Sequence, residues 1–284
     1  MQTLDLHLGR PIHRGPLTIF PIWNADAVNI RGYDLKAHHL AIDELPDGPS
    51  VPQLLVTNAG ARPVLVLEGE LLEGGHQHRV AAETIVVPAG QRSPISVRCV
   101  EQGRWHGGHQ HQRDGRRAPV KVRALAARGQ AEAWHAVAEY QEKYRANETV
   151  SLLHAIDDVE QDASRLVAGL RPLPFQSGVM IGLAGQPLLL EVFDSPRTLA
   201  HAWDALLRSA AVDAAGMPAV ATPGRRARRF LDRLRQVPVQ GRGPAGAGEA
   251  AIGESQYARL SFTAWDGRVV HAVAVNPRHE LVLA

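Results

Sequence analysis

From residue 17 to residue 100 the apolar positions fall into short runs, separated by turn-forming residues about every ten positions, the spacing of antiparallel β-structure. The runs are 17–22, 54–57, 64–67, 84–87 and 95–100, and Asn58-Ala59-Gly60 makes a tight connection between the second and third. A sandwich or barrel is the natural closure. The stretch 106–117, HGGHQHQRDGRR, is polar and lacks any hydrophobic period, so it reads as a loop. The period then changes. Ala131, Trp134, Val137 and Ala138 recur at helical spacing within 129–144, and Ile156, Val159, Ala163, Leu166, Val167 and Leu170 do so before Pro172. Residues 178–183 and 188–193 form a predicted hairpin turning at Ala184-Gly185-Gln186. Ser195-Pro196 then supplies an N-cap with proline at the first helical position, opening a helix to about residue 212. A short basic helix at 225–234 precedes a Gly-rich stretch, 240–248, that reads as a mobile loop or linker. Asp266-Gly267 between 257–265 and 268–275 is the strongest short hairpin signal in the chain.

The predicted fold is therefore α+β. A β-rich N-terminal half, 1–118, sandwich or barrel-like, is followed by a mixed half, 119–284, of helices and C-terminal hairpins, the two packed as one unit. With 45% hydrophobic and 21% charged residues the chain is not predominantly disordered. Its 31 basic and 29 acidic residues leave a net charge of +2, which excludes a broad electrostatic footprint for nucleic acid or anionic membrane. The single cysteine, Cys99, rules out an intrachain disulfide framework and fits a reducing compartment. Asp5, His7, Arg10, His13 and Arg14 stand where a signal peptide needs an apolar core, and no run is long enough to span a membrane, so a cytoplasmic location is expected.

Two constellations carry candidate chemistry. His76-x-His78, four residues, Glu83 and then six residues to Gly90 match the first metal motif of cupins. Two histidines separated by one residue share a strand face, a carboxylate on the next strand comes alongside, and His106, His109 or His111 would complete an open site for a divalent metal. Against this, Gly69 stands seven residues before His76 where the motif has six, and the second cupin motif is absent; a Gly-rich hairpin holding two histidines is the alternative. The second constellation places Cys99 and Glu101 on one strand face, followed by Arg104 and Trp105. A carboxylate, a guanidinium fork and an indole suit a phosphorylated, nucleotide-like ligand, and Glu70 and Arg79 extend the polar lining. The alternative is a structural ion-pair network with Trp105 as a core plug. Cys99 alternates with Ile95 and Val97 and reads as a small core residue.

Other signals carry less. His271 lies in an apolar strand and reads as a satisfied buried histidine. Residues 241–246 match Gly-x-Gly-x-x-Gly literally, but no strand leads into them and a proline sits inside, so they do not predict a dinucleotide fold. The pentapeptide Gly-Gly-His-Gln-His occurs at 74–78 and again at 107–111. The arginines of 225–235 make a solvated helix face or a contact for phosphate or an acidic partner.

Leu17-Thr18-Ile19-Phe20-Pro21, the run 67–79 (LEGELLEGGHQHR) and the run 97–105 (VRCVEQGRW) together resemble the α+β family named for its association with ADP-ribosylglycohydrolases and the rhodanese-phosphatase superfamily. In that pattern Gly-Glu-x-Leu is followed by a Gly-rich turn with Lys-Gln-Asn-Arg, then by a strand ending Cys-x-Glu-x-Gly-Arg-Trp; Gln130, Trp134 and His271 also resemble it. The resemblance implies that His76 and His78 replace lysine and asparagine, which shifts attention from metal to Gln77 and Arg79. It also implies a role near an ADP-ribosylated or NAD-derived molecule. The expected site is thus Glu70, Gln77, Arg79, Glu101, Arg104 and Trp105, with Glu101 or Glu70 as general base and His271 added on the resemblance. A metalloenzyme using His76, His78 and Glu83, and a non-catalytic interaction module contacting a protein through the arginine helix and the His-rich loop, are the alternatives.

Overall fold

The computed structural model describes residues 4–29, 32–36, 39–144 and 150–283. Along the chain run β1 (Leu6–Leu8), β2 (Ile12–Arg14), β3 (Leu17–Asn24), β4 (Leu40–Asp43), β5 (Gln53–Asn58), β6 (Val64–Val66), β7 (Leu71–Gly74), β8 (Arg79–Ala81), β9 (Ile85–Val87), β10 (Arg92–Cys99), β11 (Glu101–Gln102) and β12 (Gln110–Gln112). There follow α1 (Val120–Ala126), α2 (Gln130–Tyr144), β13 (Val150–Ser151), α3 (Leu152–Val167), β14 (Gly178–Leu183), β15 (Gln186–Phe193), α4 (Pro196–Ala214) and α5 (Gly224–Leu234). The strands β16 (Val239–Ala245), β17 (Gly248–Glu254), β18 (Arg259–Trp265) and β19 (Arg268–Val275) complete an α+β chain with antiparallel pairing between its named strands.

Two compact units emerge. The first comprises Met1–Arg31, Ala163–Pro244 and Gly248–Ala284; the second comprises Gly32–Asp162 with Ala245–Ala247. Ala118 falls inside the second unit, between β12 and α1.

The first unit is a nine-stranded sheet in the order β1-β3-β14-β15-β19-β18-β17-β16, with β2 also paired to β3. Its hairpins follow the sequence signals. Ala184 and Gly185 turn with φ of 46° and 84°, and Asp266 and Gly267 with 51° and 74°, the left-handed pair of a two-residue hairpin. Ser195 caps α4, accepting from the Arg197 N–H at 3.2 Å with Pro196 in the first turn. α4 packs against β3, β14 and β15, whereas Ala227 and Phe230 of α5 join Phe20, Ile22, Met180, Leu190 and Val192 in an apolar cluster. The segment 240–248, expected as a loop, is instead β16 and the start of β17. Five of the seven β16 residues are exposed on this edge strand, so it shows no buried face for a periodicity to reveal.

The second unit is built on a closed barrel, β10-β5-β4-β12-β7-β8. The register carries one face round its inside: Leu54 opposes Ile95, Ser93 opposes Val56, Val56 opposes Ile42, Ile42 opposes His111, His111 opposes Gly74, and Arg79 opposes both Leu72 and Cys99. Strand β12 lies within the stretch expected as a loop. Its inward residue is a histidine and its outward ones are glutamines, so backbone pairing to β4 and β7 makes it a strand without any apolar alternation. The turn after β5 does not pair β5 with β6. Asn58 Nδ2 instead donates to the carbonyls of Arg62, Val87 and Pro88 at 2.8, 3.2 and 3.1 Å, and β6 pairs with β9.

Candidate functional site

The β7–β8 connection, residues 75–78, brings three predicted residues to one end of the barrel. Gly74 and Gly75 take φ of 104° and 55°, and a side chain on Gly75 would collide with the His111 ring, so only glycine makes this turn beside β12. Glu101, 3% exposed, holds the opposite side. Arg104 grips it in a fork, Nε to Oε1 at 2.9 Å and Nη2 to Oε2 at 2.7 Å. The same guanidinium donates to the carbonyls of Gly75, His106 and Gly74 at 3.0, 3.2 and 3.3 Å. The His78 backbone N–H donates to Glu101 Oε2 at 3.0 Å, and His78 Nδ1 accepts from the Gly74 N–H at 2.9 Å, which leaves the ring proton on Nε2, 3.6 Å from Oε2. Burial pushes the His78 pKa down to about 4, against the pull of Glu101. Burial would raise Glu101, but hydrogen bonds from Arg104 and the His78 N–H outweigh it and hold the carboxyl below its ordinary value. Glu101 is thus an ionised anchor for the β7–β8 turn and for the strap after β11 that begins at Gly103, and both its oxygens are occupied.

Arg79 is the largest fully buried side chain in the barrel. Its Nη1 donates to Gln77 Oε1 at 3.1 Å, but Nε and Nη2 have no hydrogen-bond partner. The guanidinium carbon lies 6.0 Å from the ring centre of Trp105, which is 42% exposed. Burial lowers the Arg79 pKa, opposed by Cys99 and Glu44. Cys99 Sγ is 3.2 Å from Gln77 Oε1 and 2.9 Å from the Glu101 carbonyl oxygen. The Cys99 backbone is clamped by Gln130, whose Oε1 accepts from the Cys99 N–H at 2.8 Å while Nε2 donates to its carbonyl at 2.9 Å. Glu44, just past β4, accepts from the His76 N–H at 3.1 Å and pairs with His111 Nε2 at 3.2 Å, both through Oε1; its buried Oε2 is unpartnered. Both His76 ring nitrogens are likewise buried and unpartnered, and the ring centre lies 5.7 Å from that of Trp105. An unsatisfied buried polar atom costs about 1–3 kcal/mol, so the orphaned donors of Arg79 and the orphaned acceptor of Glu44 are positions where an added polar partner would be stabilising.

The other predicted residues lie elsewhere. Glu70 accepts from the Leu67 N–H at 2.8 Å and is gripped by Arg113, Nε and Nη2 both at 2.6 Å; it shares no hydrogen bond with Arg79. His271 sits on β19 in the first unit, with Nε2 at 2.9 Å from Glu191 Oε1 and its ring stacked 4.8 Å from Phe193. Glu83 lies between β8 and β9, and His111, opposite Gly74, is engaged by Glu44. Among the described residues no three His, Cys, Asp or Glu side chains are grouped as holding one metal ion requires, His76, His78, Glu83 and the histidines of 106–111 included. Glu44 escapes a sequence reading, and Gln130, named on the resemblance, gives no sign of its clamp on Cys99, because their partners lie about 30 to 70 residues away. Cys99 was readable as inward-facing, but its neighbours were not.

The two segments that converge here, 67–79 and 97–105, are those on which the family resemblance rests. The sequence model of the ARPP-1 domain, described as the ARG and Rhodanese-Phosphatase-superfamily-associated Protein domain, matches residues 5–275. The chain belongs to this family. ARPP-1 membership thus spans both units, with Gln77, Arg79, Cys99, Glu101, Arg104 and Trp105 gathered in the second. No curated protein and no solved structure matches the chain.

Proposed function

We propose that the barrel unit binds a small phosphorylated, nucleotide-like molecule, with Arg79 as the phosphate clamp and Trp105 as the stacking face. One observation carries this reading: a fully buried guanidinium with two unpartnered N–H groups lies beneath a half-exposed indole. Arginine offers phosphate a planar fork, and an indole offers a base or ribose a flat apolar surface. Gln77 orients Arg79 through its one hydrogen bond. Arg104 is fully engaged by Glu101 and three carbonyls, so its role is to position the strap that carries Trp105. Because Arg79 has no exposed surface, the ligand reaches it only when Trp105 swings aside. Gly103, with φ of 96°, and Gly108, both with open space around them, flank the strap and give it backbone freedom, while Gly107 packs against the Gly75 carbonyl. The family's association with ADP-ribosylglycohydrolases makes ADP-ribose the first ligand to try.

The test is calorimetric titration of ADP-ribose into the full chain, with intrinsic tryptophan fluorescence recorded in parallel. Saturable binding with indole quenching is expected, abolished in Arg79→Met and weakened about tenfold in Trp105→Ala, since stacking is worth about 1–3 kcal/mol per base. Absence of binding to the wild type, or equal affinity in all three proteins, would overturn the reading.

A further inference from the structure

The first unit carries a pocket of a character opposite to the polar cluster of the barrel. Helix α5 has 11 residues and is about 16 Å long. The sheet beneath spans eight strands in its main path, roughly 34 Å at about 4.8 Å per strand. One short helix cannot cover that face. Next to it, Val192 opposes Ala272, which opposes Phe262, and Leu190 opposes Ala274, which opposes Leu260. The two alanines on β19 are too small to fill the gap between their larger neighbours. The result is a cavity of about 130 Å³, partly open, lined by Leu and Val side chains of β15, α5 and β16 together with these residues. An apolar cavity of about 150 Å³ stays dry and takes up benzene, so this one accommodates a chain or ring of about six carbons.

Its lining holds one charged side chain, Arg235, the exposed C-cap residue of α5. Arg233 stacks on Tyr257 at 4.0 Å and Arg226 donates to the Gly185 carbonyl at 2.6 Å, whereas Arg235 makes no hydrogen bond or ion pair with another described residue. Arg225, Arg228 and Arg229 lie exposed on the same helix, with Asp232 its only acid. The one charged group on the lining is therefore cationic and the rest of the lining is hydrocarbon. We infer that this pocket binds a free medium-chain monocarboxylate, its tail among Leu190, Val192, Leu260 and Ala274 and its carboxylate on Arg235. Nothing in the inference depends on the nucleotide-like ligand of the barrel.

The experiment is calorimetric titration of the full chain with octanoate, beside octan-1-ol, which has the tail without the charge, and inorganic phosphate, which has charge without the tail. Octanoate is expected to bind saturably and phosphate not to bind. Ala274→Leu, which fills the cavity, should abolish octanoate binding. Arg235→Glu, an exposed substitution that leaves the core untouched, should weaken octanoate by about two- to fivefold, as for an exposed ion pair, and leave octanol unchanged. If Ala274→Leu does not fold, Arg235→Glu alone decides. No octanoate binding, or binding that Arg235→Glu leaves unchanged, would overturn the inference. A chain that sediments as a dimer and ignores octanoate would also overturn it, giving the face to a second copy.

Discussion

Across β18, β19 and β15 the registered neighbours on one face are Phe262, Ala272 and Val192, all hydrocarbon; across β7, β8 and β10 the neighbours inside the barrel are Leu72, Arg79 and Cys99. The first row is held by shape. Its one irregularity is a gap, where small side chains meet large ones. The second row is held by hydrogen bonds, and its irregularity is a set of polar atoms on Arg79, Glu44 and His76 that find no partner. In the apolar face a guest would gain by filling volume, while in the barrel it would gain by completing hydrogen bonds, so one chain holds two kinds of unfinished interior.

Substitutions should separate the two. Leu190→Ala on the apolar face is expected to cost about 2–5 kcal/mol in urea unfolding; a loss under about 1 kcal/mol would mean that the face is loosely packed throughout and not only at its gap. Glu101→Gln removes the carboxylate gripped by Arg104 and the His78 N–H and should cost about 2–4 kcal/mol, read as a lowered urea midpoint, whereas an unchanged midpoint would make the network dispensable. The pH dependence follows from His78. In the folded chain it stays neutral down to about pH 4, while in the unfolded chain it takes a proton below about 6.5. The unfolded state therefore binds more protons in that window, and stability falls as pH drops through it. The loss is on the order of 3 kcal/mol, and His78→Asn should flatten the slope in thermal melts at stepped pH. His111 and His279 are also lowered by burial and act in the same sense, so part of the slope persists. Arg79→Met should change stability by less than about 1 kcal/mol, because an apolar replacement removes the unpartnered donors along with the charge. A larger loss would show the guanidinium to be compensated already, contrary to its proposed role. Smallest of all, prolonged dialysis against EDTA should leave the melting temperature unchanged. Near-stoichiometric metal in the purified protein, absent from a His76→Ala, His78→Ala variant, would restore the His-x-His reading.

The strands, hairpins and long helices were legible wherever the signal, an apolar run, a cap or a turn pair, is local. Leu17–Asn24, the Ser195 cap and the Asp266-Gly267 turn all declare themselves within a few residues. Elements whose reason is remote were not legible. Strand β12 exists because β4 and β7 flank it, and β16 is an edge with little to bury. The site was partly legible: Gln77, Arg79, Glu101, Arg104 and Trp105 lie in two short motifs, and their convergence follows from Arg79 pairing with Cys99. Glu70 was grouped with them by proximity in sequence, yet its partner is Arg113, 43 residues on, which no local pattern announces.

Strand β3 has consequences during synthesis. It pairs with β14, Ile22 opposite Gly178, so an almost wholly buried strand is made long before its neighbour. The residues in between are largely those of the barrel unit. At about 5–20 residues per second, β3 waits on the order of ten seconds or more with only β1 and β2 beside it. Over that interval the nascent chain presents the apolar segment LTIFPI to whatever is near the ribosome exit, and a holding chaperone would find its best grip there.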